Sequence, residues 1–300
     1  MADLEIANNA LQGVDDGARP ARVTQHAFSS DGSWLATVDY REAPQTTDHE
    51  SMRRWKQKVA RGSDELCLKF WQYDAGTQRY RLNSRIEQPY KSGRIVGLAA
   101  HPKRHCMATV SSSGKIKVWT PARQHQDTDA IFWRCDCIGE YRGLSASGLC
   151  YSGDGSLLAV AHQHVVSLWQ DHFEPENAED REETGFEAGI TSLTLRSSLS
   201  TTLATEWVKH LTFVPNTPFL VTATSEHQLF VWNLLSASVS WSCTANVQCL
   251  VADSYSTCAN DARFLALVSS DSASKGSNDE NDGKSPAVTS SSMCISTTRR

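Results

Sequence analysis

No stretch of this sequence approaches the run of about 18 apolar residues that a membrane helix needs, so no span is expected. Its opening, MADLEIANNALQGVDDGARP, lacks an apolar core flanked by basic residues and is acidic instead. That composition argues against a secretory or mitochondrial address and for the cytoplasm or nucleus. Positive charge is in deficit: 29 Lys and Arg face 34 Asp and Glu, a net charge of -5 over 300 residues. Such a chain has no global attraction to nucleic acid, and any contact of that kind must come from a local patch.

The residues of catalysis and metal binding are also missing from the arrangements that chemistry needs. There is no Gly-x-Ser-x-Gly, no phosphate-cradling glycine loop and no cluster of carboxylates with a general base, so neither an enzyme nor a cofactor is expected. The nine cysteines are odd in number, and several sit inside apolar strands as reduced thiols would. Cys135 and Cys137 form a C-x-C pair, but zinc takes four ligands and no second pair stands at ligand spacing, so they read as strand thiols. His162 and His164 lie two apart with no companion carboxylate or thiol, and they read as loop histidines.

What the sequence does have is a repeated apolar pattern. Its clearest copy runs from Ser145 to Gln170. Leu149 and Tyr151 alternate inward on a first strand, Gly153-Asp154-Gly155 turns the chain, Leu157 to Val160 is apolar on both faces, and Val165 to Trp169 is a third strand. A strand apolar on both faces needs a layer on each side, so the unit should recur. The first unit runs from Arg22 through Ser29-Ser30-Asp31-Gly32-Ser33 to Val38; after a polar insertion from Asp39 to Ser63 it continues as Leu66 to Trp71 and Tyr80 to Ile86. The second comprises Ile95 to Pro102, Met107 to Val110, Lys115 to Trp119 and, beyond a polar loop, Ile131 to Cys135. After the third, Glu174 to Glu183 reads as a solvated acidic loop. The fourth starts either near Gly189-Ile190 or at Val208 and continues as Phe219 to Ala223, Gln228 to Trp232 and Val239 to Cys243. A fifth offers Val247 to Val251 and Arg263 to Val268. Residues 1–21 are expected to be a flexible entry, 22–270 the repeats, and 271–300, with almost nothing apolar, a disordered tail.

Trp71, Trp119, Trp169 and Trp232 close the third strands at spacings of 48, 50 and 63 residues. Four-stranded propeller blades repeat at about 40 to 50 residues, so the expected fold is an all-β propeller. A Trp at this place packs between blades while its ring N–H seeks a partner, which assigns all four to structure and none to a ligand.

These units resemble WD repeats, with Lys117-Val118-Trp119-Thr120, Ser167-Leu168-Trp169-Gln170 and Phe230-Val231-Trp232-Asn233 standing where that family has Trp-Asp. The family's Asp six positions before the Trp is replaced by Glu65, Ser113, Gln163 and Glu226, and the Gly-His dipeptide is missing. Blades of this kind are expected to be poor in regular polar anchors and to rely on apolar packing. The order of motifs is similar to the second propeller of the tandem-propeller WD-repeat subunit of the nucleolar small-subunit processome. The residues that carry this are Gly32 to Val38, Leu68 to Trp71, Trp133 to Tyr141, Tyr151 to Val160, Leu220 to Ala223 and Phe230 to Ser236, and the resemblance spans residues 22–270.

That resemblance implies a WD40-like β-propeller, here an incomplete ring of four to five blades of a seven-bladed domain. It implies a nuclear, nucleolar, non-catalytic scaffold supporting pre-rRNA processing, small-subunit biogenesis and rDNA transcription by RNA polymerase I. Its partners would be other WD-repeat subunits of the processome, with pre-rRNA and small nucleolar RNA bound directly or through the assembly; neither a membrane nor a small-molecule substrate is expected. The alternative is a WD adaptor presenting peptides to another complex such as a ubiquitin ligase.

One local feature stands apart from the repeats. Arg53, Arg54, Trp55, Lys56, Lys58 and Arg61 crowd into the insertion of the first unit. Two readings are open: a solvated insertion, or an RNA contact in which the five cations pair with phosphates while the Trp55 ring stacks on a base.

Overall fold

Short apolar runs separated by Gly- and Ser-bearing turns fold into β-strands throughout, and no helix occurs among the described residues. The computed structural model describes residues 21–41, 65–125, 128–170, 190–200, 206–252, 263–269 and 290–296. The first sheet holds β1 (Arg22–Phe28), β2 (Trp34–Arg41), β3 (Glu65–Asp74) and β4 (Arg79–Glu87), antiparallel and in that order. The second holds β5 (Ile95–Ala100), β6 (Met107–Ser111), β7 (Lys115–His125) and β8 (Thr128–Glu140). The third begins with β9 (Ala146–Tyr151), β10 (Leu158–His162) and β11 (Val165–Gln170). Next come β12 (Thr191–Ser192), which pairs in parallel with Cys137 and Ile138 of β8, and β13 (Thr194–Ser200), the strand beside β11. The fourth sheet is β14 (Val208–Phe213), β15 (Phe219–Thr224), β16 (Gln228–Asn233) and β17 (Ser238–Thr244), and the fifth is β18 (Val247–Ala252), β19 (Arg263–Ser269) and β20 (Ser290–Ser296).

Four places depart from the sequence expectation. The fourth sheet starts at Val208, and the Ser/Thr/Leu-rich stretch before it supplies β12 and β13; only Leu199 of β13 is buried, so an outer strand of this kind carries almost no apolar signature. The polar loop expected between Trp119 and Ile131 is instead the end of a long hairpin, with Ala122 opposite Phe132 and His125 opposite Thr128, held by backbone pairing that polar side chains do not oppose. Residues 290–296, assigned by composition to a disordered tail, pair as β20 along β19, again through a ladder to which a Ser-rich sequence is no obstacle. Finally, Leu149 and Tyr151 do not alternate with their neighbours: Ser147 to Tyr151 are all half-buried, because β9 is an edge strand.

The chain divides into two compact units, Met1–Leu149 with Asp171–Thr194, and Cys150–Gln170 with Leu195–Arg300. In the first unit, Trp34, Ala36, Val38 and Tyr40 of β2 and Leu66, Leu68 and Phe70 of β3 pack against Ile95, Met107, Trp119 and Trp133 of the second sheet. Phe70 stacks on Trp133 with centroids 4.2 Å apart and planes 2° from parallel, and Trp34 meets the same ring edge-on at 5.3 Å. In the second unit, Leu220 and Trp232 join Ala159, Ala161, Val166 and Leu168, whereas the intervening Val221, Ala223, Leu229 and Val231 pack with Val247, Phe264 and Ala266. Successive residues of β15 thus serve opposite faces, and this is why the central strands are apolar without alternation.

Two turns are chemical copies of each other. In Ser29-Ser30-Asp31-Gly32-Ser33 the Ser29 hydroxyl donates to Asp31 Oδ1 (2.6 Å) and accepts from Trp34 N–H (2.9 Å), while Ser33 donates to the same oxygen from its N–H (3.1 Å) and hydroxyl (2.9 Å). Ser152, Asp154, Ser156 and Leu157 repeat this at 2.6, 3.0, 3.1 and 2.9 Å. Gly32 and Gly155, at φ +70° and +79°, take the left-handed step that the turn requires. The hydrogen bond from the Ser29 hydroxyl, with those from the Ser33 hydroxyl and His105, holds the Asp31 carboxyl far below the usual carboxylate range. At Asp154 burial pushes upward, but the bonds from Ser152 and Ser156 outweigh it and the net shift is also down.

Phe70→Ala is expected to cost about 3–5 kcal/mol in urea unfolding, the range for emptying a buried aromatic site, and Leu235→Ala, at an 85% exposed position, to stay within about 0.5 kcal/mol. Because the folded pKa of Asp31 is depressed, its stabilisation is complete above the unfolded value and is lost as pH falls through the folded one. Asp31→Asn should therefore destabilise at neutral pH, with the gap from the parent closing as melts are taken below about pH 4.

Candidate nucleic-acid interface and the tryptophan anchors

The four Trp rings of the third strands are buried, and each indole N–H is spoken for. Trp71 donates to Thr37 Oγ1 at 3.0 Å, Trp119 to Thr109 Oγ1 at 2.8 Å and Trp232 to Thr222 Oγ1 at 2.9 Å. Each Thr lies on the neighbouring strand opposite the residue two before the Trp: Thr37 faces Lys69, Thr109 faces Lys117 and Thr222 faces Phe230. In the third sheet that place is Val160, which has no hydroxyl, and its partner Ser167 supplies one instead, accepting from Trp169 at 2.7 Å. Ser167 Oγ also lies 2.9 Å from Nε2 of His162, a fully buried strand residue, which corrects its reading as a loop histidine. The expectation of blades without regular polar anchors is corrected as well: in four of the five sheets the anchors are hydroxyls inside the sheet. Their signal in the sequence is an apolar-Thr-apolar triplet, Ala36-Thr37-Val38, Ala108-Thr109-Val110 and Val221-Thr222-Ala223.

Opposite three of the Trp residues the outer strand carries one extra residue. Asn83 lies between the partners of Phe70 and Trp71, Asp136 between those of Val118 and Trp119, and Ser240 between those of Val231 and Trp232. Such bulges bend the outer strand and increase its twist. They also open the ladder to other bonds: Asn83 Nδ2 donates to the Ile131 carbonyl at 3.0 Å, and the Asp136 carbonyl accepts from the Thr191 hydroxyl at 3.2 Å.

The bulge at Asp136 separates Cys135 from Cys137. The Cys135 thiol donates to the Cys137 carbonyl (3.6 Å), and Cys137 Sγ sits 3.0 Å from Thr191 Oγ1. Burial pushes the thiol of Cys135 up to about 11 and that of Cys150 up to about 12, so neither is a thiolate at neutral pH. No three metal-ligating side chains gather among the described residues.

Arg53, Arg54, Trp55, Lys56, Lys58 and Arg61 lie outside the described residues. The points at which their insertion leaves and rejoins the first sheet are Arg41, the last residue of β2, and Glu65, the first of β3, which are register partners. Arg41 and Arg85 approach Glu65 at 3.7 and 3.8 Å, and Arg85 reaches Glu87 at 3.0 Å. Of these the Arg85–Glu87 pair reaches an exposed carboxylate and contributes about 0–1 kcal/mol, so it balances charge at this end of the sheet more than it stabilises it.

Over residues 4–175 the sequence matches the family described as the WD repeat-containing protein 75 second beta-propeller. Across 252 residues it is 30% identical to WD repeat-containing protein 75 of Mus musculus, covering 81% of this chain and 25% of that one, and across 249 residues 29% identical to the Homo sapiens protein, covering 80% and 25%. It is 24% identical over 215 residues to U3 small nucleolar RNA-associated protein 17 of Schizosaccharomyces pombe, covering 70% and 24%. The chain thus spans about a quarter of the length of these curated relatives. Among solved structures, a chain of a mitotic checkpoint complex superposes with a TM-score of 0.50 at 15% identity, over 83% of this chain and 61% of that one, a likeness of fold alone.

Thr109→Val is expected to leave the Trp119 N–H without an acceptor and to cost about 1–3 kcal/mol in urea unfolding. Ser167→Ala should cost a similar amount. Adding Val160→Thr to Ser167→Ala places a hydroxyl where the other three sheets have theirs, and should recover part of that loss; a double variant no more stable than Ser167→Ala would show that the anchors are not interchangeable.

Proposed function

The chain belongs to the family of WD repeat-containing protein 75 second β-propellers, and from that premise we propose that it is a non-catalytic scaffold in the assembly of the small ribosomal subunit. The observation that carries this is the similarity, over most of the chain, to WD repeat-containing protein 75 and to a relative whose name associates it with U3 small nucleolar RNA. In this reading the chain acts in the nucleolus, within the small-subunit processome, beside other WD-repeat subunits. Pre-rRNA and small nucleolar RNA are held directly or through the assembly, and pre-rRNA processing and rDNA transcription by RNA polymerase I depend on it. The chemistry of the described residues suits such a role: the Trp rings and the Thr and Ser hydroxyls are engaged with one another inside the sheets.

Direct RNA binding is assigned in this proposal to Arg53, Arg54, Trp55, Lys56, Lys58 and Arg61, whose charge density stands out in an acidic chain. Pairing with phosphates is screened by salt, and each phosphate of a single strand that is no longer neutralised lowers the salt slope by about 0.7. A tagged chain is expected to concentrate in the nucleolus and to co-purify with U3 small nucleolar RNA. Arg53→Glu with Arg54→Glu and Lys56→Glu should weaken RNA crosslinking and leave Tm nearly unchanged. A diffuse tagged chain that co-purifies with a ubiquitin ligase would overturn the scaffold reading; a triple variant that crosslinks like the parent would overturn only the role of the insertion.

A further inference from the structure

The fourth sheet is described without interruption, and its outer strand β17 differs from the outer strands of the first three sheets. Charge marks those three. β4 carries Arg79, Arg81 and Arg85, β8 carries Arg134 and Glu140 and is paired in part with β12, and β13 carries Arg196. β17 reads Ser-Val-Ser-Trp-Ser-Cys-Thr. No Asp, Glu, Lys or Arg occurs from Gln228 to Ala252, 25 residues of a chain that is 21% charged.

A strand at the end of a sheet presents a row of unpaired N–H and C=O groups, and proteins keep such an edge single with lysine, proline or an inward charge. β17 has none of these. Among the described residues no strand lies beyond it in its sheet, and six of its seven residues are exposed. Val239 is 43% and Trp241 40% exposed, and they stand on opposite faces. Val239 is opposite Trp232, which packs with residues of the third sheet, and Trp241 is opposite Val231, which packs with residues of the fifth. Each face of the edge thus leaves one large apolar side chain in water. The bulge at Ser240 lies between the two, and Trp241-Ser242-Cys243-Thr244 beyond it is a regular run in register with Gln228 to Val231.

We propose that β17 is the contact through which two copies of this chain pair, edge to edge and antiparallel about a two-fold axis, each extending the other's fourth sheet. A two-fold contact uses one patch twice, so the patch must be complementary to itself. Residues come opposite or diagonal to their own copies, and like charges so placed repel. β4 would set its arginines against one another. β17 sets hydroxyls, which both donate and accept, against hydroxyls, and brings the two Trp241 rings to the same face of the joined sheet. A neutral strand offers a basic or acidic segment no ion pair, whereas a second copy is matched to it in charge at every position. Seven residues a side make a contact below the about 1,200 Å² of stable complexes, so the pairing is reversible. The contact is independent of the scaffold reading above.

The test is sedimentation velocity of the full chain from about 1 to about 100 µM, the range in which a contact of this size dissociates. The parent should pass from monomer to dimer and go no further. Ser242→Lys and, separately, Ser240→Lys, both at exposed positions, should remain monomeric throughout. Leu82→Lys, which adds the same charge at an exposed position of β4, should dimerise like the parent. Melts check that each variant is folded. A parent that stays monomeric overturns the proposal, as does a dimer that survives both β17 variants. A dimer lost equally in Leu82→Lys places the contact elsewhere and overturns it too, and species growing beyond the dimer overturn the closed two-fold pair. A fluorescein-labelled peptide of residues 236–246 should bind the monomer and compete with dimerisation. A scrambled peptide of the same composition that binds equally well would show that the edge accepts any extended segment, and would overturn the second copy as its occupant.

Discussion

Four buried indole N–H groups constrain the rest of this fold. An N–H shut away from water without an acceptor costs about 1–3 kcal/mol, so every third strand that ends in Trp must find an oxygen nearby. Three sheets place it on the second strand, at Thr37, Thr109 and Thr222, and the fourth places it on the strand of the Trp itself, at Ser167. Any slip of one residue would move the hydroxyl to the wrong face together with every apolar side chain of the strand. The anchor and the apolar packing therefore enforce the same register, and the bulges at Asn83, Asp136 and Ser240 let the outer strands twist past the large rings.

Two lysines inside the sheets follow one logic, which is that each has a local partner. Lys69 is buried against Asp39, and its ammonium also lies 5.8 Å from the Trp71 ring. The equivalent Lys117 donates to the Pro89 carbonyl at 2.7 Å and lies 5.5 Å from the Trp119 ring. Cation and ring sit side by side in both sheets, so the Lys two residues before Trp71 and the one two before Trp119, which look wrongly polar for such strands, are each compensated twice, by an oxygen and by a π-face.

Charge on the surface is arranged by pairing rather than by total. At the end of the first sheet Glu65 and Glu87 are drawn into pairs with Arg41 and Arg85. Lys91 and Arg94 lie beside them, and the points where the basic insertion leaves and rejoins, Arg41 and Glu65, directly follow Tyr40 and precede Leu66.

The sequence by itself determined the strands with a strong apolar signature: β2, β3, β6, β7, β10, β11, β15 and β16 are where the repeats place them, because two packed faces leave room for nothing but apolar side chains. It also determined the Ser-x-Asp-Gly-Ser turns, whose bonds lie within five residues of each other, and the family, through the order of its motifs. The hydroxyl anchors were half legible: the Thr of each triplet is visible, but its bond to a Trp on another strand is not. Only the tertiary structure decided the outer strands. β12, β13 and β20 are held by backbone pairing along an edge, which their Ser- and Thr-rich side chains neither favour nor betray. The meeting of Tyr40, Leu66, Tyr90 and Ser112 belongs to the same class, since these residues lie up to 72 positions apart, Tyr40 to Ser112. Neighbours over such separations are fixed by which sheets stack, and stacking is a property of the folded layers that no local stretch of sequence encodes.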